Sequence, residues 1–169
     1  VKGLKVLFGY LADMIADRER AFKDQLLSKE TEIGLRKYLN VPLKQQIVTE
    51  RKQTIPPDVT FVFGHTHKPF QNDMVFKEYH RWVNVYNTGG WVVDTIEPQP
   101  IHGGAMVLID EDLHAVSLRL YNENADPAAY SVKVEEATHA GAEPNPLHKR
   151  ISGLVNPASE PWKRFSRIV

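Results

Sequence analysis

The pair Pro56-Pro57 divides the chain into two stretches with different periodicities. Before it, Leu4, Leu7, Phe8, Leu11 and Ile15 recur at helical spacing, and Phe22 and Leu26 extend the same stripe through charged, helix-favouring residues. This predicts one long amphipathic helix. It is followed by a short helix over Ile33 to Leu39, ended by Asn40, and by a third with Pro42 in its first turn, running towards Arg51. After the prolines come VTFVFG, DMVFKEY, RWVNVYN, WVVDT, GAMVLID, HAVSLRLY and YSVKVEE, short runs rich in β-branched and aromatic residues with turn residues between them. These predict strands. Asp110-Glu111-Asp112 separates two of them, and Gly103-Gly104 opens the first of that pair, so a hairpin or meander is expected there.

A chain of 169 residues supports one globular domain with a sizeable core. The expected division is a domain portion over 1–136, helical over 1–55 and β-rich over 58–136, then a linker-like run (ATHAGAEPNP) and tail over 137–169. Scattered apolar tail residues, Ile151, Leu154, Val155, Trp162, Phe165 and Ile168, predict packing against the body or a second copy. Lys+Arg and Asp+Glu both number 21, so the whole molecule lacks the electrostatic footprint that nucleic acid or an anionic membrane requires. No apolar run approaches the roughly 20 residues that span a bilayer, and no membrane partner is expected. With no cysteine, thiolate chemistry is excluded and a reducing, cytoplasmic setting is the favoured reading.

The functional signal is Gly64-His65-Thr66-His67 at the end of the apolar run Phe61-Val62-Phe63. On an extended strand residues i and i+2 point the same way, so two imidazoles would converge on one side while Thr66 turns to the other. Gly64 lets the backbone bend or approach a ligand closely, and neutral imidazole is a common ligand for transition metals. A pair of surface or hydrogen-bonded histidines is the bland alternative.

Some twenty residues later another strand ends in Asn87-Thr88-Gly89-Gly90-Trp91. Together these stretches resemble the carboxy-terminal half of the calcineurin-like metallophosphoesterases, whose last signature is Gly-His-x-His and which often follow it with an Asn-x-Gly-Ser-Trp-like turn. Gly90 stands where that family commonly has Ser. The resemblance covers roughly residues 57–120. It implies an α/β fold, part of an αββα sandwich of mixed β-sheets, with a helical amino-terminal third and a β-rich remainder. It also implies two divalent metal ions (Mn, Fe, Zn or Co), His65 on one and His67 on the other, with Gly64, Asn87 and Gly89 as supporting turn residues. The implied chemistry is hydrolysis of a phosphomonoester or phosphodiester in a phosphorylated small-molecule or nucleotide substrate, since two ions about 3.5 to 4 Å apart can clamp a phosphoryl group.

The family's other motifs, an Asp-x-His, a Gly-Asp-x-x-Asp, a Gly-Asn-His-Asp/Glu and a further lone His, do not occur in this sequence, and no histidine precedes His65. An open catalytic metal site needs about three protein ligands per ion. The chain therefore reads as the carboxy-terminal part of a longer enzyme. Its start at Val1 within an apparently structured segment agrees with that. The expected partners are the missing amino-terminal half of the same domain and, where apolar sheet surface is left open, a second copy in a homodimer. The alternative is a non-catalytic metallophosphoesterase-like scaffold or interaction protein. Metallo-β-lactamase-like enzymes and amidohydrolases also use His-x-His, but the first place Asp-His immediately downstream, where this chain has Lys68-Pro69-Phe70.

His80, His102, His114, His139 and His148 lack a partner at ligand spacing and are expected on the surface, with His102, in a Pro-rich loop able to reach the site, the one exception to weigh. Trp82 and Trp91 are expected in the core, and Trp162 at an interface or folded back over a sheet. Asp73 and Asp94 are the acids nearest in sequence that could supplement the histidines, though their spacing does not place them at the same strand end.

Overall fold

The structure, a computed structural model, describes residues 26–51, 54–64, 66–91, 97, 99–122, 126 and 131–163. The long helix expected over Leu4, Leu7, Phe8, Leu11, Ile15 and Phe22 lies outside these residues, and Leu26 sits in a bend. Helix α1 (Lys29–Tyr38) starts where the Ser28 side chain accepts the Thr31 amide at 3.1 Å, with Glu30 and Glu32 in its first turn and Arg36 and Lys37 in its last. Both features complement the helix ends. Asn40 does not end a helix: the chain runs through a π-helical turn, Leu39–Leu43, straight into α2 (Lys44–Glu50). The reason is Pro42. Proline has no N–H and crowds the carbonyl four residues back, and a widened turn absorbs both defects without breaking the helix. The Tyr79 hydroxyl donates to the Leu39 carbonyl at 2.8 Å, tying this turn to the rest of the fold.

The described residues form a mixed α/β fold with two three-stranded sheets. In the first, β3 (Val83–Asn87) lies between β1 (Val59–Phe63), to which it is parallel, and β2 (Phe70–Met74), to which it is antiparallel. The second is an antiparallel meander of β4 (Gly103–Ile109), β5 (Ala115–Asn122) and β6 (Lys133–Glu135). The strand expected over DMVFKEY instead begins at Phe70 and stops at Met74. Phe76 and Tyr79, three residues apart, both turn into the core and meet edge to face at 5.8 Å, a spacing that an alternating strand cannot supply. Of the expected WVVDT strand, Trp91 is in a bend and 92–96 lie outside the described residues. The β4–β5 hairpin is present, closed by the Asp110 carboxylate, which accepts the amides of Asp112 and His114 at 3.1 and 2.9 Å. Burial works to raise the Asp110 pKa, but the His114 amide and imidazole and the Asp112 amide prevail and hold it below the ordinary value.

One core lies between the first sheet and the helices, built from Leu39, Phe70, Met74, Phe76, Val83 and Val85 with Leu35 and Ile47 against them. Val83 and Val85 are wholly buried because β3 is central. β1 is only partly buried: it is an edge strand among the described residues, Phe61 and Phe63 are half-buried, and Val62 is 38% exposed. Trp82 and Trp91 are likewise surface residues rather than core, 41% and 52% exposed.

The tail packs against the body. Helix α3 (Pro146–Leu154), capped by the Asn145 side chain, lies on β5 and β6, and Leu118, Leu120, Val132 and Val155 form a second core with Ile151 and Trp162. Trp162 folds back to donate its indole N–H to the Leu154 carbonyl at 2.9 Å. The run before α3 is a fastened strap rather than a free linker: the Ala137 amide donates to the Tyr86 hydroxyl at 3.0 Å, and the Asn145 amide group donates to the Ala115 carbonyl at 2.9 Å. Tyr86 in turn donates to the same Ala115 carbonyl at 2.7 Å, which links β3, the strap and β5 through one phenol. Among the described residues no helix is long and apolar enough to cross a membrane.

Candidate functional site

Because β1 and β3 are parallel and paired through Phe63 and Asn87, they end side by side. The segments leaving them, Gly64 to His67 and Thr88 to Gly90, form one corner, the carboxyl-end location where open α/β sheets commonly place ligands. The Thr88 amide donates to the Phe63 carbonyl at 2.8 Å. Asn87 is fully buried; its side-chain oxygen accepts the Gly89 amide at 2.9 Å and its amide group donates to the Thr66 hydroxyl. Thr66 therefore turns inward onto Asn87, which ties the two segments together.

His67 does not have the extended geometry expected of it: β1 stops at Phe63 and His67 adopts φ 58°. β3 ends at Asn87, level with Phe63, and two residues on Gly89 adopts φ +67°. His65 itself lies outside the described residues. His67 is 9% exposed, and its carbonyl accepts the Gly103 amide at 2.9 Å. The Gly90 amide donates to the Gly103 carbonyl at 2.9 Å and the Ala105 amide to the Thr88 carbonyl at 2.8 Å. The second sheet is thus stitched to the corner where the first one ends.

The corner's glycines are required by proximity. A Cβ on Gly64 would come within 2.8 Å of the Thr88 hydroxyl oxygen, and one on Gly89 within 2.2 Å of the Gly103 carbonyl oxygen. At Gly90 it would reach Cδ2, Cγ and Nε2 of His67 at 2.5, 2.7 and 2.9 Å. The departure from Ser at this position is therefore matched by an imidazole lying where a side chain would be. The stitch also draws in His102, expected on the surface but 1% exposed, whose amide donates to the Gln99 carbonyl at 2.8 Å. Lys68, which follows His67, is fully buried as well. The Pro-rich loop marked His102 as the exception to weigh, whereas nothing in the sequence marked Lys68 for burial.

Among the described residues no three or more His, Cys, Asp or Glu side chains are grouped so as to hold a metal ion. Asp73 sits across from Asn84, three residues back from the end of β3, and Asp94 lies outside the described residues. The described residues therefore do not by themselves amount to a metal centre, which needs about three protein ligands.

Neither protein-family models, nor curated proteins, nor solved structures give a match to this chain.

The remaining histidines are mostly not free surface groups. His114 pairs with Asp110 at 3.2 Å, and His148 approaches the Val134 carbonyl at 3.3 Å and Glu136 at 3.6 Å. His139 bonds Asp73 at 2.6 Å and stacks on Trp82 with ring centroids 4.5 Å apart. His80 is exposed. The His139–Asp73 pairing joins residues 66 positions apart, and spacing alone could not have found it, whereas His114 and Asp110 are only four apart within the β4–β5 turn.

Proposed function

We propose that this chain is the carboxy-terminal part of a calcineurin-like metallophosphoesterase and that the complete protein hydrolyses a phosphomonoester or phosphodiester of a phosphorylated small molecule or nucleotide. In this reading His65 and His67 each give one ligand to one of two divalent ions, of Mn, Fe, Zn or Co type, and residues amino-terminal to this chain supply the others. The finer fold would be the family's αββα sandwich, completed when the rest of the domain adds to β1, an edge strand among the described residues. The setting would be the cytoplasm, with which a cysteine-free chain is compatible.

The observation that carries the proposal is positional. Gly-His-x-His leaves the carboxyl end of a parallel strand beside the Asn87 turn, and His67 is held there through its carbonyl and against Gly90. The test is an aryl-phosphatase assay on a longer protein containing this chain, with and without chelator, and as His65→Ala and His67→Ala. Loss of turnover in all three cases is expected. Metal-independent activity, or full activity in both variants, would contradict the assignment, and a stop codon directly upstream would favour the scaffold reading.

A further inference from the structure

The groove between α1 and β1 is apolar and open. Leu35 and Tyr38 line it from the helix and Phe61 and Phe63 from the strand, around a volume of about 380 Å³, and Glu30 is the charged member of its lining. The Phe61 ring lies between those of Tyr38 and Phe63, with centroids 6.0 and 5.6 Å away, so the floor is a continuous aromatic row. Tyr38 is nonetheless 44% exposed. Contiguous apolar surface of this kind marks a place that something covers, because covering aromatic rings yields a large share of hydrophobic stabilisation.

Gly34 gives an independent sign of what covers it. It stands inside α1 and lines the groove, and a Cβ there would meet no other part of the described fold within 4 Å. Glycine weakens a helix interior relative to alanine because it loses more backbone freedom on folding. No contact in the described fold calls for that loss. A bare Cα in the floor of a groove does let a second backbone approach closely, as a packed helix would.

The chain itself carries an occupant. Residues 1–25 lie outside the described residues, and their sequence holds the helically spaced stripe Leu4, Leu7, Phe8, Leu11, Ile15 and Phe22 that Leu26 continues. They join the fold at the groove's end: Leu27 packs against the first core, Ser28 is buried and caps α1, and Glu30 follows in the first turn. A connection no longer than Leu26 to Ser28 sets consecutive helices antiparallel. α1 has 10 residues and is about 15 Å long, so about ten residues of a preceding helix would run back along it. Phe22 would then lie over its first turn, Ile15 and Leu11 would reach the level of Tyr38, and Lys23 would meet the opposite charge of Glu30.

We propose that residues 1–25 fold back along α1 as an amphipathic helix and seat Phe22, Ile15 and Leu11 in this groove, closing a helical hairpin over Phe61 and Phe63. The inference does not depend on the phosphohydrolase reading. The 169-residue chain has no cysteine, so Asp13→Cys, away from the apolar stripe, gives a single site for a nitroxide label. Selective broadening of the Tyr38 and Phe61 amide resonances within the labelled molecule is expected. It should be lost in Ile15→Asp and in Gly34→Leu, whose Cβ enters open space in the groove. Trypsin should cleave at Arg18, Arg20 and Lys23 at least tenfold faster in both variants, while the amide spectra of the two sheets stay unchanged. Should Gly34→Leu unfold, Ile15→Asp, outside the described fold, still decides. No broadening in the wild type, or unchanged cleavage in the variants, would overturn the proposal. So would broadening that appears only between labelled and unlabelled chains in a mixture, which would make a second copy the occupant.

Discussion

The His67 imidazole lies against the bare Cα of Gly90, where a Cβ would come within 2.5 Å of the ring. Gly90→Ala should therefore displace the imidazole rather than unfold the chain, because the obstructing atoms belong to a side chain. The His67 ring resonances should shift while the amide spectrum of the second sheet is retained. In a longer, active protein the same change should lower turnover about a hundredfold, the rough effect of a 1 Å misplacement. Unmoved His67 resonances would refute the contact.

Gly89→Ala should be far more damaging than Gly64→Ala. At Gly89 a positive φ combines with a backbone oxygen 2.2 Å from the new Cβ, whereas at Gly64 the nearest atom is the Thr88 hydroxyl, which can rotate away. A loss of about 2 to 4 kcal/mol is expected for the first and under about 1 kcal/mol for the second, by urea denaturation. Equal losses would contradict the described corner.

Asn87→Ala removes the donor to Thr66 and the acceptor of the Gly89 amide inside a fully buried site. The expected cost is about 1 to 3 kcal/mol, with Asn87→Asp keeping an acceptor for the Gly89 amide and accepting the Thr66 O–H in place of donating to it, but burying a carboxylate. Denaturation midpoints ordered wild type, Asp, Ala would bear this out.

Burial pushes the Tyr86 phenol up to about 12 from an ordinary 10.0. Between those values the unfolded chain has released the proton and the folded chain keeps it, so its contribution to stability is complete below pH 10 and declines as pH rises towards 12. Tyr79, also raised by burial, adds a decline of the same sign. In Tyr86→Phe the alkaline decline should be shallower than in wild type. The variant should also lose about 1 to 2 kcal/mol at neutral pH, because the Ala137 amide loses its acceptor, while the Ala115 carbonyl keeps Asn145.

Five strands and the β4–β5 hairpin were legible because their apolar alternation and turn residues are local signals. The path from α1 to α2 was not, since whether Pro42 ends a helix or widens it depends on what anchors the turn, here Tyr79, 40 residues away. The same limit applies to β2. Phe76 looks like a continuation of the strand until the helix-side core claims it, with the Arg36 guanidinium 5.4 Å from its ring. At the candidate site the motif and its Asn87 turn could be read from type and spacing. The left-handed His67 and the buried His102 could not, because both depend on β4 bonding across the corner.

This chain alone should be silent towards a generic aryl phosphate and should bind Mn or Zn only weakly, since in the proposed site the motif would give one imidazole to each ion. Tight binding of two ions with turnover would show a complete site within these residues and remove the argument for a longer parent.

The most direct test of the central claim is the metal content of a longer protein containing this chain, measured by elemental analysis after gel filtration. Two divalent ions per chain are predicted for the wild type, and loss of at least one in each of His65→Ala and His67→Ala. A wild type without bound metal, or an unchanged two ions in both variants, would contradict the account.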